Sequence, residues 1–405
     1  MNDGASLRAK LRIANRRKKL TALMLLAPAL AIMLLAFVWP IASLLTNSVH
    51  APRFADAMPA LGAWLAEWDG TTLPGEEGYA LVAEEFARAY KAKTLPRASR
   101  RLNYEQGGLR SLAMKTGRKA RRMTPPYKAA LLKVNKAWGE LETWQALQAA
   151  SRRLTDKFLL QALDLRRDAI SGIERAAPDN RVYLDRLGVT FWISIVVTVL
   201  CALIGYPMSY VMATSGKTAN RLLFILVLLP FWISLLVRTA AWVVLLQKEG
   251  IINDGLLWLG LVDEPQQLIF NRIGVYIAMI HILLPFLILP LYSVMRSIAR
   301  DQVRAANSLG ASPFEAFLTV YFPQTIPGLG AGCLLVFILS IGFYVTPALV
   351  GGSADQMISA LIAEFALGTA NWGLASALAL VLLCCVAVIY PVFGRYAGAK
   401  NLSLG

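Results

Sequence analysis

Charge is what this 405-residue sequence has least of: 16% of its residues are charged and 57% are hydrophobic. Those proportions lie far to the apolar side of soluble globular chains. Histidine is nearly missing too, with His50 and His281 the two present. The four cysteines, Cys201, Cys333, Cys384 and Cys385, all lie inside apolar runs. They imply no disulfide framework, and no pair has zinc-ligand spacing with a histidine, which argues against metal binding. No nucleophile–base constellation appears, which leaves enzyme chemistry without a footing. There is no internal repeat and no low-complexity tract. A phosphate loop is also lacking. Gly216-Lys217-Thr218 mimics its end, but the motif's first glycine would fall at Val211.

The charge that is present is lopsided, at a formal +16. Its distribution argues against nucleic acid as the partner. Residues 1–20 carry seven Lys/Arg against one acid, and residues 47–186 carry 24 against 16. The rest sits mostly at the ends of apolar segments. A basic tail beside a first apolar run is the mark of a cytoplasmic membrane anchor.

Those apolar runs are long enough to cross a bilayer, which takes roughly 20 helical residues. Six spans are expected, at about 20–46, 187–213, 221–247, 273–297, 327–350 and 373–394. Their length favours helices over barrel strands, and the first is too long for a signal peptide. Basic residues set the orientation. Arg8, Lys10, Arg12, Arg16, Arg17, Lys18, Lys19, the Lys217/Arg221 loop, Arg296, Arg300, Arg304, Arg395 and Lys400 fall on one side. The loops at 248–272 and 351–372 hold two bases against six acids and fall on the other. Both termini, at 1–19 and 397–405, are therefore expected in the cytoplasm. The basic 47–186 insert is expected outside, since loops beyond about 60 residues cross largely regardless of charge.

Within the insert, Leu131, Val134, Trp138, Leu141, Trp144, Leu147, Leu154 and Phe158 recur at helical spacing, predicting one or two amphipathic helices over about 127–175. The basic stretch 97–126, ending in Pro125-Pro126, reads as turn-rich and more flexible. The insert is a docking platform for a soluble partner or a solvated elaboration; the residues leave both open.

The polar loop at about 298–326 carries the strongest local signal. A short helix through Arg304, Ala305 and Ala306 stops at Gly310, a residue able to turn left-handed. Ser312 then suits an N-cap, Pro313 the first helical position, and Glu315 closes a capping box. Pro323 and Pro327 are expected to break the chain before the next span. Downstream, Gly328 and Gly332 favour close helix packing; no strand precedes them, which excludes a dinucleotide site.

This loop resembles the coupling loop of ATP-binding-cassette importer permeases, whose pattern is Glu-Ala-Ala, three residues, Gly, nine residues, Ile-x-Leu-Pro. Here Ala305-Ala306, Gly310 and Val320-Tyr-Phe-Pro323 keep that spacing, with Arg304 where the pattern has Glu. Gly205-Tyr-Pro207, Leu229-Pro-Phe-Trp-Ile-Ser-Leu-Leu-Val-Arg-Thr-Ala-Ala-Trp242, Glu249-Gly-Ile-Ile-Asn253 and Val345-Thr-Pro-Ala-Leu-Val-Gly-Gly352 are similar to the first permease of spermidine/putrescine-type importers. The likeness covers residues from about 181 to 395 and leaves out most of the insert.

The resemblance implies an all-α membrane protein: six transmembrane helices with a type I importer core at 187–396, plus a largely helical periplasmic insert. It implies a permease that binds no cofactor and hydrolyses no ATP. ATP and Mg would sit on a partner ATPase dimer that presses on the coupling loop. A second, homologous permease and a periplasmic solute-binding protein complete the expected partners, with membrane lipid around them. The implied solute is a polyamine or related cation. The competing reading is a stand-alone secondary transporter or channel, although few intramembrane acids and no inverted repeat speak for it.

Candidates for the solute pathway follow from chemistry inside the spans. Arg238 lies in an otherwise uncharged run, where a charge costs at least about 2.5 kcal/mol at mid-membrane. It lines a polar pathway or reaches the outer interface. His281, beside Pro285, lines the cavity or is a buried, hydrogen-bonded histidine. Trp232, Trp242 and Tyr344 offer aromatic faces to a cation and Glu364 a neutralising carboxylate, or they sit at the membrane interface.

Overall fold

The computed structural model describes Lys18, residues 21–168 and residues 172–396. Apart from Lys18, the expected basic tail at 1–19 lies outside the described residues, as does the tail from 397. The chain divides into two compact units, Met1–Phe158 and Leu159–Gly405.

The first unit opens with an apolar helix, α1 (Thr21–Val49), that buries none of its spanning window within the protein. Such a helix suits a lipid environment. It contains one wide turn, Leu34–Val38, in which the Trp39 N–H reaches back to the Leu34 carbonyl. Pro40 follows directly. The wide turn relieves the clash between a proline ring and the carbonyl four residues back.

The rest of this unit is a helical domain with its apolar side chains gathered inside. Helices at Arg53–Ala57, Pro59–Glu67, Glu76–Lys91, Leu95–Glu105, Leu109–Ala120, Tyr127–Val134 and Leu141–Ser151 close around one core. Trp138, Trp144, Tyr79, Phe54 and Phe86 are its largest fully buried side chains. Their polar ends are satisfied inside the core, as burial requires. The Trp138 indole donates to Thr116 Oγ1 at 3.0 Å. The Trp144 indole and the Tyr79 hydroxyl both donate to the Trp138 carbonyl, at 3.1 and 2.9 Å.

Two expectations for the insert are corrected here. The 97–126 stretch is not turn-rich. It forms most of two helices whose Leu102, Leu109, Leu112, Ala113 and Ala120 point into the core, with most of its arginines outside. Arg101 is the buried exception, paired with Glu105 and lying over the Phe158 ring. Helix also fails to continue to 175. Leu165–Asp168 and Gly172–Arg175 pair as an antiparallel hairpin. Asp164 starts it at a positive φ of 54°. Its carboxylate accepts the backbone N–H groups of Val182, Tyr183 and Leu184, closing the first turn of the next helix.

The second unit holds the other apolar helices and one short polar helix, Arg300–Ser308. They are α2 (Tyr183–Thr214), α3 (Lys217–Trp232), α4 (Leu235–Leu245), α5 (Arg272–Ser297), α6 (Arg300–Ser308), α7 (Pro313–Gly342) and α8 (Trp372–Tyr396). With α1, five helices are long and apolar enough to span, and the bent α3–α4 pair makes up to six. Helices α2, α5 and α7 pack most extensively on one another. Ile193, Val197, Met279, Leu283, Leu287, Leu291 and Val336 form their shared core. Glycine permits the closest approach. A Cβ on Gly332 of α7 would stand 2.9 Å from the Leu287 carbonyl oxygen of α5.

Two of the spans depart from the sequence expectation. The 221–247 run is not one straight span, because α3 and α4 meet at 98°. Pro230 tightens the end of α3 into a narrow turn, and Ile233 and Ser234 are extended. The helix of the fifth span does not run from 327 to 350: it begins earlier and ends at Gly342, and Val345–Val350 is a separate short helix. Helix α7 starts at Pro313 and passes through Pro323 and Pro327 without a break. A second wide turn, Phe317–Tyr321, directly precedes Phe322-Pro323 and accommodates the proline as in α1.

Candidate functional site

The elbow between α6 and α7 is built from closed hydrogen bonds. Helix α6 ends on Gly310 at φ +96°. The Gly310 N–H donates to the Asn307 carbonyl at 3.1 Å, and the Ala311 N–H donates to the Ala306 carbonyl at 3.1 Å. This pair of bonds is the Schellman stop, which needs a left-handed residue at its centre. Ser312 then caps α7. Its Oγ accepts from the Glu315 N–H at 3.3 Å, and its own N–H donates to Glu315 Oε2 at 2.8 Å. Pro313 takes the first helical position. Several of the backbone groups left open at most helix ends are thus satisfied on both sides of the turn.

Arginines tie this elbow to the end of α2. Arg296 donates to the Ala213 carbonyl at 3.3 Å and Arg300 to the Thr214 carbonyl at 3.1 Å. These are last-turn carbonyls, where the helix dipole favours positive charge. Further along, the Tyr206 hydroxyl meets Thr325 Oγ1 at 3.1 Å, and Tyr210 stacks edge-on against Tyr321. Ala305 is exposed and Ala306 half-buried, while Pro323 is exposed. Arg304 makes only a loose contact of 3.6 Å with Asp301, both side chains in solvent. Such an exposed pair contributes little.

Sequence reasoning passed over the most exposed part of the elbow. Leu309 is 89% exposed and Phe314 70% exposed, on either side of Gly310. Large apolar groups left in solvent at a rigid turn mark a surface for a partner. The signal was two bulky apolar residues bracketing a helix stop in an otherwise polar loop.

The second group of residues collects at the α3–α4 break. Ser234 caps α4 by accepting the Val237 N–H at 3.2 Å. Four residues apart on α4, Arg238 and Trp242 share a helix face. The Trp242 indole donates to His281 Nδ1 of α5 at 3.1 Å, the rings edge-on at 5.4 Å. An indole N–H can only donate, so Nδ1 carries the lone pair and His281 is neutral in this contact. The histidine is hydrogen-bonded but exposed, which corrects the buried alternative. Arg238 is half-exposed, its Nε buried without a hydrogen-bond partner. Thr239 and Thr346 hydroxyls meet at 3.0 Å and bring the Val345–Val350 helix, with Tyr344 just before it, against α4. Trp232, 88% exposed, and Glu364 are joined to this group by no hydrogen bond or ring contact among the described residues. An apolar groove of about 550 Å³ between α2 and α7 lies apart from it, lined by Thr198, Tyr206, Phe322, Cys333 and Phe337 among others and by no charged group.

These features define a polytopic α-helical membrane protein with a double-capped elbow between two of its helices and a sharp break inside a bent apolar pair. Comparison with known proteins narrows the class. Residues 205–395 match the family described as binding-protein-dependent transport system inner membrane component. The chain is 31% identical over 220 residues to the spermidine/putrescine transport system permease protein PotB of Escherichia coli (strain K12), covering 54% of this chain and 80% of that relative. PotB of Haemophilus influenzae is 34% identical over 216 residues, covering 53% and 76%. The inner membrane ABC transporter permease protein YdcU of Escherichia coli (strain K12) is 32% identical over 225 residues, covering 52% and 70%. Among solved structures, a bacterial ABC transporter involved in the import of the acidic polysaccharide alginate aligns with a TM-score of 0.44 at 17% identity, covering 55% of this chain and 80% of that one.

The chain belongs to the family of binding-protein-dependent transport system inner membrane components. It is a multi-pass inner-membrane protein and the non-catalytic permease subunit of an ATP-binding-cassette importer. The stand-alone transporter reading is thereby set aside.

Proposed function

We propose that the Gly310 elbow receives the stroke of an ATP-binding-cassette ATPase dimer and passes it into the membrane along α7. The observation that carries this reading is the weld between elbow and span: a stop and a capping box joined, without a break, to a helix that reaches Gly342. A jointed connection would absorb motion, whereas this one transmits it. Leu309 and Phe314 supply the apolar contact, and Arg304, Ala305 and Ala306 form the helix beside it. ATP and Mg bind on the ATPase, whose preference between inward- and outward-open states must reach about 5.5 kcal/mol to swing a 1:99 balance to 99:1.

In the same reading a second, homologous permease completes the pathway, and a periplasmic binding protein delivers the solute. Residues 47–186 face the periplasm, and both termini face the cytoplasm. The names of the PotB relatives support a polyamine or polyamine-like cation as solute. The α3–α4 break, with Trp242, His281, Arg238 and Tyr344, forms this chain's share of the pathway; Trp232 and Glu364 are its outlying members. Aromatic faces suit an organic cation there.

Crosslinking tests the elbow's role. Leu309→Cys and Phe314→Cys should each form a short-range crosslink to a co-purified ATPase in detergent. An ATPase that co-purifies yet crosslinks at neither position would overturn the proposal.

A further inference from the structure

The insert carries a charged face that the transport reading does not use. Residues 107–139 contain nine Lys/Arg and no Asp or Glu. They are folded, not loose. On the Leu109–Ala120 helix, Leu109, Leu112, Ala113, Thr116, Gly117 and Ala120 are buried. Gly117 seats this helix closely: a Cβ there would meet Leu95 Cδ2 at 2.3 Å and the Phe86 carbonyl at 3.1 Å. The opposite face holds Ser111, Lys115, Arg118 and Lys119, continued by Arg122 just past the helix end. Spacings of four, three and four residues line these up as one stripe. Arg110 and Arg121 flank it. All six basic side chains are exposed, and none forms an ion pair among the described residues.

We infer that this stripe is an electrostatic docking surface for anionic phospholipid headgroups of the membrane in which the chain is anchored. Its composition separates lipid from the alternatives. A stable protein interface centres on aromatic or aliphatic anchors. Here every tryptophan of the helical domain joins the inward aromatic cluster or packs against it. Single-strand nucleic-acid sites interleave bases with exposed aromatic rings, which the stripe also lacks. A polybasic face without apolar anchors fits an anionic membrane surface, where each Lys or Arg near the headgroups is worth roughly a fivefold gain in partitioning. Covalent attachment supplies proximity, since α1 ends at Val49 and the first helix of the domain begins at Arg53. A tethered surface works at a high effective concentration.

The test uses the full chain in nanodiscs, with its four cysteines replaced by alanine and a fluorophore on Ser111→Cys. Nanodiscs of phosphatidylcholine alone are compared with nanodiscs containing phosphatidylglycerol, each with a headgroup-linked quencher. Quenching should rise at least severalfold with phosphatidylglycerol and fall away when salt is raised to about 0.5 M, where screening reaches within a few ångströms. Combined K115E, R118E, K119E and R122E should abolish it. The salt arm needs no charge reversal, so the result stands even if the reversed chain unfolds. Equal quenching in both lipids, insensitivity to salt, or quenching that appears only on adding a solute-binding protein would each overturn the inference.

Discussion

Two sharp turns of the second unit, at Gly310 and at Ile233–Ser234, are made differently. At Gly310 the backbone groups on both sides are closed, by the Schellman bonds before the turn and the Ser312–Glu315 box after it. At Ile233–Ser234 one side-chain cap, Ser234 to Val237, serves the outgoing helix, and the neighbouring side chains are an exposed Trp232 and an incompletely satisfied Arg238. The first turn is a finished piece of backbone. The second leaves polar groups and rings available, which is what a surface that must meet a solute or another subunit requires. Closure suits transmission, and incompleteness suits recognition.

Breaking the first turn should have the largest effect. Gly310→Val forces a β-branched residue into the left-handed region at a cost of roughly 1–2 kcal/mol. No atom lies within 4 Å of its new Cβ, so the damage falls on backbone geometry and partner docking. Solute uptake in vesicles should be abolished while the protein remains membrane-inserted; normal uptake would remove the elbow from the mechanism.

Next in size is Ser234→Ala, expected to cost about 1 kcal/mol by loss of an N-cap. Because no second side-chain cap backs it up among the described residues, uptake should fall severalfold, and Ser234→Asp should restore it. If Ser312→Ala, which leaves the Gly310 stop in place, lowered uptake more than Ser234→Ala, the contrast between a turn closed on both sides and one capped on one side would fail.

Trp242→Phe keeps a ring and deletes the donor to His281. Exchange of one such bond is worth about 1 kcal/mol or less. A modest drop in thermal stability is expected, with a larger change in apparent solute affinity than in maximal uptake rate. An unchanged affinity would take His281 and Trp242 out of the pathway.

Arg304→Glu, which restores the family residue, should move the melting temperature least of all. Its 3.6 Å contact with Asp301 is solvent-exposed on both sides, and such pairs contribute about 0–1 kcal/mol. What should shift is the strength of ATPase co-purification. Identical co-purification would show that this charge takes no part in pairing.

The two turns also differ in how far the sequence revealed them. Gly310, Ser312, Pro313 and Glu315 act on neighbours within five residues, so their pattern could be read directly. The α3–α4 break was hidden because hydropathy stays high from 221 to 247 and Pro230 sits three residues before the bend. Helix α7 was misjudged for a related reason. Pro323 and Pro327 read as breakers, but the wide turn at Phe317–Tyr321 absorbs the first of them. In the insert, the arginines of 97–126 concealed an apolar face spaced at 102, 109, 112, 113 and 120. Contacts across long separations, such as Trp242 with His281, leave no local trace.

The wide turn at Phe317–Tyr321 has one more effect. It contains one residue beyond the ordinary helical repeat, and each residue advances an α-helix by about 100°. The compass bearing of Phe314 relative to the membrane portion of the same helix is therefore set by that surplus residue. Deleting or adding one position there would swivel the elbow by more than a quarter of a circle while leaving both ends chemically intact. A shaft of this kind can be re-aimed at a differently shaped motor without rebuilding either the handle or the blade.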